Sequence, residues 1–217
     1  MTSTTRIRSR RPTLSSRRSG PVADVIAPEL DALFVGINPG FASARAGHHF
    51  ANPANPFWRL LHESGFIARP LGPAQERELL ETRLGITNLV ARETAGVADL
   101  TRRDIDVGRE ALVTKIRQHR PRAVVFVGLT AYSAFNRRKV RRPAPRDVSD
   151  APDVPVTPAV AAEPAPGRGR VVCGEQPDRF AGARVFVVPN PSGRNAHFTY
   201  AQMLEAFRNV ARALGRA

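Results

Sequence analysis

Apolar positions along the chain fall into short continuous runs that alternate with longer periodic stretches. The clearest runs are Leu33-Phe34-Val35, Ala123-Val124-Val125-Phe126-Val127 and Val185-Phe186-Val187-Val188, closed by Gly36, Gly128 and Pro189. A run apolar at every position suits a strand covered on both faces. These runs predict strands over 32–36, 123–128 and 185–188, with a short strand over 86–90 and a short edge strand over 171–173.

The periodic stretches predict helices. One spans 56–65, opened by Pro56 and stopped by Gly65, with Phe57, Leu60 and Leu61 as its apolar stripe. A second spans 73–84, opened by Pro73 and followed by Gly85. A third runs over 102–119 behind Thr101 and Asp104, which have the spacing of a capping box, and its late apolar positions are Leu112, Val113 and Ile116. A short helix is expected over 130–136. A last helix covers 200–214, with Met203, Leu204, Phe207, Val210, Ala211 and Leu214 on one face. Segments 41–55 and 91–100 read as loops. The first is long for a compact domain and holds two His, two Asn and two Phe, so a functional role is expected of it. Buried strands alternating with helices predict an α/β fold on a largely parallel sheet.

Composition narrows the partners. The 217 residues suit one domain with a tail, and 42% apolar content is enough for a real core. A net charge of +14 favours a polyanion, nucleic acid ahead of an anionic membrane surface. A single cysteine, Cys173, excludes a disulfide framework and a multi-thiolate metal site, and fits a reducing compartment. No run of about 18 apolar residues is present to span a membrane, and the N-terminus has no apolar core of a secretory signal.

Residues 1–23 form a basic arm, with Arg6, Arg8, Arg10, Arg11, Arg17 and Arg18 set among Ser and Thr. Three readings fit it: a tail that tracks nucleic-acid phosphates, a solvated extension, or an organelle transit peptide. Residues 24–217 form the domain. A Pro- and Ala-rich insertion at about 139–170 interrupts it and is expected to stay disordered.

Two turns carry the chemistry. Gly36-Ile37-Asn38-Pro39-Gly40 ends one predicted strand, and Asn190-Pro191-Ser192-Gly193 follows another. On parallel neighbouring strands both would open at the carboxyl edge of the sheet, where open α/β folds bind ligands, and would face each other across one pocket.

The first turn, with Gly47-His48-His49-Phe50 and Asn55-Pro56-Phe57-Trp58, resembles the first motif region of the mismatch-specific uracil-DNA glycosylase and thymine-DNA glycosylase branch of the uracil-DNA glycosylase superfamily. Asn190-Pro191-Ser192-Gly193 resembles the second motif. Gly85-Ile86-Thr87-Asn88-Leu89-Val90-Ala91-Arg92-Glu93-Thr94 and Pro121-Arg122-Ala123-Val124-Val125-Phe126 are similar in between. The resemblance implies a three-layer αβα domain around a central, mainly parallel sheet. It implies a monofunctional enzyme of DNA repair that removes uracil, and thymine or other deaminated or damaged bases, from mismatched double-stranded DNA, leaving an abasic site. It further implies a monomer with no metal, redox cofactor or lysine Schiff base. The location would be the bacterial nucleoid and cytoplasm, or the nucleus or mitochondrion of a eukaryote.

The same resemblance assigns roles, and the chemistry suits them. Asn38 would orient the attacking water; an amide can accept from water but is no general base at neutral pH. Faster uracil-specific relatives carry Asp at this point. Taken as a residue alone, Asn38 also reads as an ordinary turn former. Gly36, Ile37, Gly40, Ser43, His49 and Phe50 would form the base pocket, with the Phe50 ring as the stacking face for an everted base. His48 and His49 either tune that pocket or only shape the loop. Adjacent histidines without a third ligand lack zinc spacing. Asn190, Pro191, Ser192, Gly193, Arg194 and Asn195 would meet DNA. Arg194 stands where bacterial relatives have an apolar wedge, so it would plug the stack, touch the orphaned base or hold a phosphate. Among carboxylates, Glu63 reads as a solvated helix face, and Glu93 or Asp99 could assist the water. The competing readings are a non-catalytic nucleic-acid binder on the same fold and a nucleotide-processing enzyme. The latter lacks a Walker-type lysine after the glycine turn.

Overall fold

In the computed structural model the described residues are 20–136, 172–192 and 197–216. The strand runs become β1 (Ala32–Gly36), β2 (Leu84–Asn88), β3 (Ala123–Val127) and β5 (Ala183–Val188), with β4 (Gly174–Phe180) at one edge. They form one sheet in the order β2-β1-β3-β5-β4. The first four strands are parallel, and β4 is antiparallel to β5. Every residue of β1 and β3 is buried, as expected of strands covered on both faces.

The helices are α1 (Phe41–Ala46), α2 (Phe57–Glu63), α3 (Arg102–His119), α4 (Leu129–Asn136) and α5 (Tyr200–Ala213). Alternation along the strands divides the core between the two faces of the sheet. Phe34, Val125 and Phe186 pack with Phe57, Leu60 and Leu61 of α2 and Phe207 and Val210 of α5. Leu33, Val35, Val124 and Phe126 pack with Leu112 and Ile116 of α3 and Tyr132 and Phe135 of α4. The result is the three-layer αβα arrangement.

Several boundaries depart from the sequence reading. The 41–55 segment is not all loop, because α1 occupies its first six residues. Six residues are too few to display a helical period; the helix ends at Gly47, whose left-handed φ of 73° lets its N–H reach Ser43 O. The 73–84 helix is a 3₁₀ helix over Pro73–Thr82. Arg83, at φ 57°, turns the chain so that Leu84 pairs with Ala32 and starts β2 two residues earlier than expected. The edge strand lies at 174–180 rather than 171–173. Its Gly-Glu-Gln-Pro-Asp-Arg-Phe sequence carries little strand signal, and Pro177 is tolerated where the ladder shifts register between Gln176 and Arg179. The 91–100 loop contains a 3₁₀ turn, Val97–Asp99, and α4 starts one residue early. Val22, placed in the arm by sequence, is already buried. The rest of the arm through residue 19 and the 139–170 insertion lie outside the described residues. Among the described residues no helix is long and apolar enough to cross a membrane.

Candidate active site

The chain leaves β1 toward β2 on one side and returns to β3 on the other, so the strand order reverses between β1 and β3. Outside the carboxyl ends of the strands at that point lies a cleft of about 1220 Å³. Residues from both Asn-Pro turns line it, including Ile37, Asn38 and Gly40 from the first and Asn190 and Ser192 from the second. The expected meeting of the two turns is what the fold produces.

Asn38 is held by its donor end. Its Nδ2 donates to Thr94 Oγ1 at 2.8 Å and to Pro39 O at 3.0 Å. Thr94 Oγ1 in turn donates to Gly96 O at 2.6 Å. The single hydroxyl proton of Thr94 is therefore used on Gly96, and its contact with Asn38 needs a donor from the amide. That fixes which end of Asn38 is nitrogen. Oδ1 is left without a partner among the described residues, on a side chain that lines the cleft. Backbone bonds brace the frame: Leu89 N to Gly36 O, Val90 N to Ile37 O, and Thr94 N to Pro39 O.

Phe50 supplies a flat wall. Its ring stacks on the buried Phe57 ring, with centroids 3.9 Å apart and planes 20° from parallel, while it also lines the cleft. Its φ of 50° is unusual for a bulky residue. A Cβ on Gly36 would come within 2.6 Å of Asn88 Oδ1 and 3.4 Å of Phe50 Cζ. Gly36 thus lies behind the cleft lining and lets Asn88 and Phe50 come close. Gly40 lines the cleft, but a Cβ there would meet nothing within 4 Å.

The other expected pocket residues divide. Ser43 lines the cleft, yet its Oγ accepts from Ala51 N at 3.1 Å and so ties the loop. His49 lines it too and is buried, with Nε2 unpartnered among the described residues. Its Nδ1 and backbone N both meet Glu76 Oε2, at 2.9 and 2.8 Å, and His48 Nδ1 meets Oε1 at 2.9 Å. Burial pushes the Glu76 carboxyl up, but the bonds from the His49 ring and backbone and from His48 outweigh it and hold it below the usual range. Trp58 Nε1 donates to His49 O at 3.3 Å and pins the same segment.

On the second turn, Ser192 N donates to Asn190 Oδ1 at 3.1 Å, and Pro191 is buried. Gly193, Arg194 and Asn195 lie outside the described residues. Glu93 and Asp99 do not line the cleft, and Asp99 Oδ2 accepts from Gly96 N at 3.1 Å, holding the turn. Glu63 pairs with Arg59 and accepts from Tyr200 OH at 2.8 Å, away from the cleft. Among the described residues no three of His, Cys, Asp and Glu cluster to hold a metal ion.

Sequence reasoning assigned no role to Asn88, Thr94 or Glu76. Asn88 and Thr94 stand in the segment that carried the family resemblance, which is the signal that could have found them. Glu76 has no such mark; it reads as one more polar residue of a surface helix.

Residues 23–214 match the family model of the uracil DNA glycosylase superfamily. Among solved structures, the chain is similar to a solution NMR structure from Methanosarcina acetivorans, provisionally designated a uracil DNA glycosylase. The TM-score is 0.55 at 17% identity, covering 91% of this chain and 98% of that one, a likeness of fold.

Proposed function

The chain belongs to the uracil DNA glycosylase superfamily, and on that footing we propose that it is a monofunctional glycosylase acting on mismatched double-stranded DNA. It hydrolyses the N-glycosidic bond of uracil, and of thymine or other deaminated bases, and leaves an abasic site. It works as a monomer, and DNA is its macromolecular partner.

The observation that carries this reading is the Asn38 amide, whose donor end is held by Thr94 and whose acceptor end has no partner among the described residues, in the cleft that Phe50 also lines. An everted pyrimidine would stack on Phe50, which Phe57 supports from behind. Oδ1 of Asn38 would accept a hydrogen bond from water and aim its oxygen lone pair at C1′. The C1′–N1 bond breaks, the base departs with the electron pair on N1, and the water oxygen bonds to C1′. The water's lost proton passes to solvent or to the departing base. Fixed dipoles around the base lower the cost of its developing negative charge. Asn38 orients without deprotonating, so turnover depends on the leaving ability of the base.

A panel of duplexes tests this: uracil, thymine, hypoxanthine and xanthine, each opposite every normal base, are incubated with protein and then treated with alkali. Strand breaks at uracil opposite guanine are expected, with weaker breaks at thymine in the same setting. Intact strands throughout, with protein in excess over DNA, would overturn the assignment.

A further inference from the structure

Glu76 is a buried carboxylate, 5% exposed, that none of the steps above uses. It comes from the 3₁₀ helix Pro73–Thr82 and reaches the tandem histidines of the first motif. Its two oxygens are divided between them. Oε1 meets His48 Nδ1, whereas Oε2 takes both the backbone N–H and the ring Nδ1 of His49. A carboxylate only accepts, so His49 Nδ1 must carry a hydrogen. The remaining ring nitrogen, Nε2, is buried without a partner among the described residues, in a residue that lines the cleft. An orphaned buried polar atom in a residue that lines a cleft needs a physical reason, and a partner brought by a ligand supplies one.

We propose that Glu76 is a positioning residue: it locks His49 with hydrogen on Nδ1 and so presents Nε2 to the everted base. The inference rests on the glycosylase reading for the identity of that ligand; the lock itself is independent of it. In the neutral ring Nε2 is an acceptor, which fits the ring N–H of uracil or thymine. Unsubstituted cytosine has a lone pair at the corresponding nitrogen and gains nothing there. Glu76 thereby sets which hydrogen-bonding face of a pyrimidine the slot wall reads, while touching no substrate itself.

The two kinds of variant separate charge from hydrogen bonding. Glu76→Gln can keep its carbonyl oxygen toward His49, where two donors converge, and turn its NH₂ to His48. Glu76→Met removes both acceptors at similar length. Ring ¹⁵N spectra of the full chain without DNA read the lock directly. Wild type and Glu76→Gln should show hydrogen on His49 Nδ1, and Glu76→Met should lose it. A wild-type spectrum with Nδ1 bare overturns the proposal, whatever the activity.

Single-turnover excision from a G:U duplex reads the consequence. Glu76→Met should lose roughly 10- to 100-fold in rate, with duplex affinity within about 3-fold and Glu76→Gln close to wild type. Because Glu76→Met could also loosen the fold, the decisive comparison is on a His49→Ala background, where adding Glu76→Met should change the rate by less than about 2-fold. Full additivity there would mean that Glu76 acts through something other than His49 and would overturn the assignment. If wild-type protein cleaves no duplex, the glycosylase reading falls and the spectrum alone decides the lock.

Discussion

At the scale of single residues, the site depends on how hydrogen-bonding ends are assigned. Asn38→Ala removes the acceptor that would hold water, and single-turnover excision should fall by roughly 100-fold or more with duplex binding retained. Unchanged excision would take Asn38 out of the reaction. Thr94→Val keeps shape but leaves Nδ2 without its 2.8 Å partner, so the amide can flip. A loss of roughly 10-fold is expected, smaller than for Asn38→Ala because Pro39 O still accepts from Nδ2. The turn at Asn38 was legible from sequence because Gly36, Pro39 and Gly40 mark the end of a strand, and the role expected of Asn38 came from the family resemblance. Thr94 was not legible, since it lies 56 residues away and only the β1–β2 pairing brings it near. Glu76 was hidden for the same reason, 27 and 28 residues from the histidines it holds.

Individual elements show where local signals suffice. Helix α3 was legible to the residue because its ends announce themselves. Asp104 N donates to Thr101 Oγ1 at 3.1 Å, and Thr101 N donates to Asp104 Oδ2 at 2.8 Å. The same carboxylate accepts from Arg92 Nη2 at 2.7 Å, a bond that with the Thr101 contacts keeps the Asp104 carboxyl well below its usual range. The cap thus anchors the loop that carries Thr94. Thr101→Ala should cost about 1 kcal/mol and lower the melting temperature by about 2–4 °C in a chain of this size. A calorimetric scan checks it, and no change would mean the cap is redundant. Helix α1 and strand β4 were illegible for opposite reasons. Six residues cannot show a period, and an edge strand with one ladder partner can carry Pro and Asp that a central strand could not.

For the molecule as a whole, the sheet separates function from cohesion. The cleft opens at the carboxyl ends of the parallel strands, and Asp31, just before β1, gathers cations at the other end. Arg216 Nη2 lies 2.9 Å from it, Arg122 Nη1 3.2 Å and Arg83 Nε 3.3 Å, joining the end of the chain to three strands. Burial raises the Asp31 carboxyl, but the bonds from Arg216 and Arg122 and the charges of Arg216 and Arg83 outweigh it, so its folded value is lowered. A group lowered on folding stabilises fully above its unfolded value, near 3.9, and ceases to as pH falls through the folded value. Asp31→Asn should therefore cost about 1–2 kcal/mol at neutral pH, and the melting curves of variant and wild type should converge in acid. A constant gap at every pH would refute this account. The +14 charge belongs to this scale too. Removing residues 1–19, which carry six arginines, should weaken duplex binding and flatten its dependence on log salt by about 0.9 for each phosphate that the arm had neutralised, with base choice unchanged. Equal binding at all salt concentrations would make the arm an inert extension. The alternation of strands and helices and the largely parallel sheet were readable because apolar runs and periods are local, whereas the αβα layering came with the family resemblance and the strand order was not legible. Nor were the distances that close the cleft, because they come from pairing between strands far apart in the chain.

The Thr94 hydroxyl also bears on how this corner could evolve. A carboxylate at position 38 would bring a lone pair where Nδ2 now brings a hydrogen. The Thr94 hydroxyl would then have to turn its proton from Gly96 O to the carboxylate, while Asp99 still accepts from Gly96 N and holds the bend at 96–99. Exchanging amide for acid thus costs the Thr94 bond to Gly96 O and sets a carboxylate against Pro39 O, so aspartate at position 38 enters the same backbone frame at a cost the amide does not bear.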